Sequence, residues 1–289
     1  MSSTASLADF ASAVVAVRVA LAAGFKNRTF TLPLLPTVAS KVMTMANDPD
    51  ADVADLSDLI HKDQSLASAV LRIANSAAYT AGEPIVSLRQ AVMRLGMQVL
   101  SEIAIAACLQ SDGLRTPGYE PYRKRVLVHA FVTGGFAKEL ARQKRRNVEA
   151  MFLCGLLHSI GRPLVLRLIG EVQAGRPVML PERAILPLVD EFHREAAAAV
   201  TETWKLPQQV QVAAAYHGDP DAAPAFIEET RQTTLAAKIA RWALGQSQLD
   251  EAKLRALPEW EKLNFYPDEL DAVLERKDAL VASASVFTS

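Results

Sequence analysis

The sequence predicts an all-α fold, and three observations carry that prediction. Apolar residues recur at three- and four-residue spacing almost everywhere. No run sustains the period-two alternation of β-branched residues that a half-buried strand needs. Capping residues and prolines punctuate the chain at intervals of one short helix.

The elements follow in order. Residues 10–25 read FASAVVAVRVALAAGF, with Arg18 in the middle and Asp9 just before. A membrane span needs about 20 apolar residues, and no basic leader precedes this stretch. No membrane span is expected, and residues 1–27 are read as a helix that docks on the rest of the protein. The LPLLP at 32–36 ends it and sets Pro36 in the first turn of a helix carrying Val38, Val42 and Met45. Asp48-Pro49 breaks that helix. Asp52 caps the next one, with Val53, Leu56, Leu59 and Ile60 on one face. Asp63 caps another, with Leu66, Val70 and Ala74 as its stripe, closed by Asn75-Ser76. Ser87 and Gln90 have capping-box spacing ahead of Leu88, Ala91, Val92 and Leu95, and Gly96 fits the position after a helix end. Two glycines and two prolines in residues 111–121 mark a boundary. It divides a first lobe, about 28–115, from a second, about 120–245. Gly134-Gly135 within a helical pattern signals close helix packing, since glycine is otherwise costly there. Residues 246–289 are expected to form an acidic-leaning helical extension with a loose tail.

Composition narrows the function classes. Half of the 289 residues are apolar and 22% are charged, which argues against a disordered chain. With 31 basic and 32 acidic groups, the chain lacks the basic footprint of a nucleic-acid binder. The local exception is Arg123, Lys124, Arg125, Lys138, Arg142, Lys144, Arg145 and Arg146, a candidate binding patch. No reading motif accompanies it, so nucleic acid is not an expected partner. Cys108 and Cys154 sit in apolar runs and read as buried free thiols in a cytoplasmic protein.

The histidines are the most informative residues. His129 shares a face with Val126, Thr133, Phe136 and Leu140; His158 follows Met151, Cys154 and Gly155. His193 shares a face with Ala197, Val200 and Trp204, and His217 with Val210 and Ala214. These four are expected to point inward and could converge as imidazole ligands, or each could be a core histidine satisfied by one hydrogen bond. His61, flanked by Ser57, Asp58, Gln64 and Ser65, is expected to face solvent. Carboxylates that would offset metal charge are scarce, and Glu139, Glu149 and Asp190 are expected on wet faces.

The motifs together resemble one family. LPLLP, the Asp48-Pro49 turn and Leu71-Arg72-Ile73-Ala74-Asn75-Ser76 resemble the opening of the HD-related output domain (HDOD) family. IVSLRQAVMRLG at 85–96, LCGLLHSIG at 153–161, and His193, Trp204, Leu206, Pro207 and His217 resemble its later segments, over about residues 28–245 in all. Asn75 and Ser76 fall in its signature. The resemblance implies a bacterial signalling module of two helical lobes, 28–245, the second similar to HD-type metal phosphohydrolases. In that comparison His129 matches the first metal ligand, His158 the histidine of the His-Asp pair, and His193 and His217 additional ligands. Ser159 stands where the paired aspartate would be, and the later aspartate falls near Ala240-Arg241.

A serine is a poor ligand and an arginine repels cations. The expectation is therefore an HD fold without HD catalysis, with no resident metal, no cofactor and no catalytic residues. Such a module acts by binding other signalling proteins or a small ligand, in motility or second-messenger control. The alternative is a metal-dependent phosphohydrolase of nucleotides or cyclic dinucleotides. The oligomeric state is not written in the sequence.

Overall fold

The structure, a computed structural model, describes residues 7–35, 37–46, 50–75, 82–109, 118–174 and 180–284. Among these residues there is no strand; fifteen α-helices and one short 3-10 turn, Pro220–Ala222, account for the regular structure. The helices are α1 (Leu7–Lys26), α2 (Thr37–Ala46), α3 (Val53–His61), α4 (Gln64–Ala74) and α5 (Leu88–Cys108). They continue with α6 (Glu120–Gln143), α7 (Val148–Leu157), α8 (Gly161–Gln173), α9 (Glu182–Thr203) and α10 (Gln208–Tyr216). The last are α11 (Ile227–Ala243), α12 (Glu251–Arg255), α13 (Pro258–Lys262), α14 (Pro267–Leu274) and α15 (Lys277–Ala284).

Helix starts are set by short polar side chains that accept from otherwise orphaned amides. Asp52 accepts from the Ala54 amide at 2.9 Å and Asp63 from Leu66 at 3.0 Å. Asn147 does the same for α7 through Ala150. Ser87 Oγ accepts from Gln90 N at 3.1 Å, but the Gln90 side chain reaches one residue past the expected partner, to the Val86 amide. Gly96 (φ 80°, ψ 163°) ends the first stretch of α5 at a kink, and a second helical stretch follows it to Cys108. A positive φ of this kind suits glycine alone.

Asn75 ends α4 and also holds the following loop. Its Nδ2 donates to the Leu71 and Ile85 carbonyls, and its Oδ1 accepts from the Ile85 amide at 2.7 Å. Its role is therefore to clamp the chain as it enters α5. Ser76 lies outside the described residues, as do 110–117 in the expected boundary.

Helix α5 packs against α2, α3 and α4, while α6, α10 and α11 pack on α7, and α9 joins them through α8 and α10. One hydrophobic core runs through both groups, from Val17 to Ala284. Helix α1 lies on α8 and α9, with Phe25 stacked on Phe192 and Arg18 paired to Glu191. The stretch Val148–Gln173 is long and apolar enough to cross a membrane, yet 83% of its most apolar window is buried by other helices. The C-terminal extension is helical up to Ala284, and residues 285–289 of the expected tail lie outside the described residues. Leu280 of α15 fills the notch at Gly135 of α6, where a Cβ would come 2.5 Å from its Cδ2.

Candidate functional site

Two glycines bring the site together. Gly155 of α7 lies against Gly134 and Thr133 of α6, where a Cβ would come within 2.7 Å of the Gly134 Cα. Gly161, the first residue of α8, lies against α9, where a Cβ would be 1.8 Å from the His193 carbonyl oxygen. The turn between them, His158-Ser159-Ile160, is thereby pressed against α6 on one side and α9 on the other. Helix α10 closes the group by packing on α7 and α9.

His129, His158, His193 and His217 form one chain of rings. Centroids lie 5.3 Å apart for His129–His158, 4.9 Å for His158–His217 and 5.6 Å for His193–His217. Each ring also touches a backbone carbonyl. His158 Nδ1 lies 2.6 Å from Gly155 O, His193 Nδ1 2.9 Å from Asp190 O, and His217 Nδ1 3.1 Å from Ala214 O. His129 instead turns Nε2 to Ala237 O of α11, at 3.1 Å. A carbonyl only accepts, so these contacts assign the N–H of each neutral ring. Burial favours that neutral form, lowering His129 and His193 to about 4 and His217 to about 3. His158 is held well below its usual range by burial and by its neighbours His217 and His129. His61 is exposed and lies apart.

Beside the rings is a cavity of about 430 Å³ lined by His129, Ser159, Tyr122, Arg162, Asp190 and Arg241, with Arg125, Val126 and Gln246. Arg162, one turn beyond His158, donates to Asp190 at 2.7 Å and to the Tyr122 hydroxyl at 3.1 Å. Ser159 is 2% exposed, and its Oγ has no hydrogen-bond partner among the described residues. Arg241 stands at the same wall and forms no ion pair among them.

The donor set does not suit the metal centre that the HD resemblance implies. Among the described residues no group of three or more His, Cys, Asp and Glu side chains is arranged to hold a metal ion. The carboxylate that lines the adjoining cavity, Asp190, is committed to Arg162. Arg162 adds positive potential at all four histidines, Arg241 at His129, and Arg194 at His193 and His217. Neutral imidazoles could ligate a cation, but nothing here offsets its charge.

Five of the eight basic residues in the expected patch form ion pairs within the protein. Helical periodicity sends them to different faces. Arg125 pairs with Glu182, Lys138 with Glu102, Arg142 with Glu139, Lys144 with Glu269, and Arg146 with Glu228. Arg145 and Lys124 are exposed and Arg123 is half-buried. Glu139, expected on a wet face, is 8% exposed. Tyr122 and Arg162 escaped the sequence reading, and Asp190, exposed as expected, was not read as a partner of the site. A signal for two of them was present, since Arg162 follows His158 by four residues and Asp190 precedes His193 by three, each one helical turn away.

The family model for the HDOD domain matches residues 32–220. The chain belongs to the HDOD family. Solved structures share its fold. A Shewanella amazonensis protein, named provisionally as a metal-dependent phosphohydrolase, superposes with a TM-score of 0.72 at 21% identity, covering 94% of this chain and 99% of that one. An HDOD domain protein of unknown function from Geobacter sulfurreducens gives 0.70 at 22% identity, covering 95% and 98%. A Marinobacter aquaeolei protein, named provisionally as a signal transduction protein, gives 0.63 at 22% identity, covering 96% and 66%. An uncharacterized Treponema pallidum protein is 27% identical over 213 residues; the match spans 71% of this HDOD chain and 41% of that protein's length.

Proposed function

We propose that this HDOD protein is a non-catalytic signal-transduction output module that works by binding. The observation that carries the reading is Ser159. It stands where the HD pattern has a charge-bearing ligand, its hydroxyl has no partner among the described residues, and its cavity carries three arginines to one carboxylate, Asp190, itself committed to Arg162. Hydrolysis of a phosphate ester without an activated nucleophile faces a very large barrier. The partners on this reading are other signalling proteins, in the cytoplasm, in motility or second-messenger control.

The test is an assay with Mn, Fe and Zn supplied in turn. Aryl phosphate mono- and diesters and cyclic dinucleotides are expected to survive unchanged. Metal-stimulated turnover that disappears in His158→Ala would overturn the reading and restore the phosphohydrolase alternative.

A further inference from the structure

We propose that the cavity beside the histidine rings is an anion site that takes the phosphoryl group of a small molecule. Three arginines line it, Arg125, Arg162 and Arg241, against the single carboxylate of Asp190. Arg125 and Arg162 each already have one carboxylate partner, Glu182 and Asp190. Arg241 forms no ion pair among the described residues, and burial, then the Arg162 guanidinium, lower its affinity for its own proton. The histidine that lines the wall, His129, is neutral at pH 7 and adds no charge of its own.

A second observation points to a ligand independently of charge. Ser159 lines the cavity, and its buried hydroxyl has no hydrogen-bond partner among the described residues. A buried hydroxyl left unpaired costs about 1–3 kcal/mol. An oxyanion beside it would recover that cost, and Tyr122, whose hydroxyl accepts from Arg162, lines the same wall. A guanidinium fork plus hydroxyl donors matches the several acceptor oxygens of a phosphoryl group. The cavity, about 430 Å³, falls within the size range of small-molecule sites and leaves room for an organic portion. The position once suited to a cation thus becomes suited to an anion by Ser159 and Arg241.

This deepens the binding-module reading and rests on it, but the two can fail separately. Titration of the full chain with inorganic phosphate, followed by calorimetry and phosphorus NMR, is expected to show one saturable site. A phosphomonoester probe is expected to compete for it. Arg241→Gln, at the exposed mouth, and Ser159→Asp, which adds a negative charge, should each weaken phosphate by about tenfold or more. Arg145→Gln, exposed and outside the cavity, should leave it unchanged. Circular dichroism confirms folding of each variant, and Arg241→Gln alone decides the matter should Ser159→Asp not fold. No saturable binding up to about 10 mM phosphate, or equal loss at Arg145→Gln and Arg241→Gln, overturns the site while leaving a non-catalytic module intact. Metal-dependent hydrolysis of the phosphomonoester overturns both.

Discussion

Lys138 of α6 reaches both carboxylate oxygens of Glu102 on α5, at 2.8 and 2.7 Å, with only 14% and 4% of the two side chains exposed. The pair joins the α2–α5 group to the helices that carry the histidines. Removing one partner strands the other charge, which typically costs about 3–5 kcal/mol. Glu102→Ala should therefore lower the urea midpoint sharply, whereas Glu102→Leu with Lys138→Met should recover most of the loss.

The same carboxylate has a pH signature. Burial pushes Glu102 up from 4.5 to about 7, the pull of Lys138 offsetting only part. Its folded-state affinity for a proton exceeds that of the unfolded chain. Its contribution to stability is therefore complete below about pH 4.5 and declines as pH rises toward and through 7. Urea unfolding from pH 5 to 8 should show this decline in the wild type and a flatter profile in Glu102→Gln.

The histidines act with the opposite sign. Their folded-state values are lowered, so their contribution is complete above the ordinary value of 6.5 and is lost as pH falls toward 4. A group lowered from 6.5 to 4 contributes on the order of 3 kcal/mol. Acid unfolding should begin below pH 6, with proton uptake measurable by calorimetry in buffers of different ionisation heat. His193→Gln should flatten the acid limb; an unchanged limb would contradict the assignment.

Gly161→Ala places a methyl 1.8 Å from the His193 carbonyl oxygen and 2.8 Å from the Ala197 nitrogen. Both are backbone atoms and cannot rotate aside. The expected cost is about 3 kcal/mol or more, at the upper end for overpacking. Gly170→Ala, with open space at its Cβ, is the matched control and should be neutral or slightly stabilising.

Asn75→Ala removes three hydrogen bonds, two of which fix residue 85 against the end of α4. A loss of about 1–3 kcal/mol is expected, with amide exchange accelerated more at Ile85 than within α5. Uniform acceleration across the chain would instead mark Asn75 as a residue of global stability only.

What the sequence reveals of this molecule follows how locally each feature is determined. Asp52, Asp63 and Ser87 bond to amides two or three residues away, so their caps can be read from spacing alone. The inward faces of His129, His158, His193 and His217 follow from apolar neighbours one turn away. Gly96 is harder: its positive φ is readable, but what the chain does next depends on the helices that α5 meets afterwards. The basic residues of α6 are harder still. Lys144 is neutralised by Glu269, 125 positions later, and no periodicity reports such a partner. Arg162 and Asp190 belong to the same class, since their pairing depends on the contact of α8 with α9 through Gly161.

His129 leans on Ala237, Lys144 on Glu269, and Gly135 on Leu280. All three supports come after residue 220, where the recurring family pattern stops. The portable unit is therefore longer than the recognisable one. A segment cut at the end of the pattern would leave α6 with an unsealed flank and the cavity without the wall that carries Arg241. Recombination that moved this module onto another protein would have to carry the helices through α15 as well, or supply a substitute flank from the host.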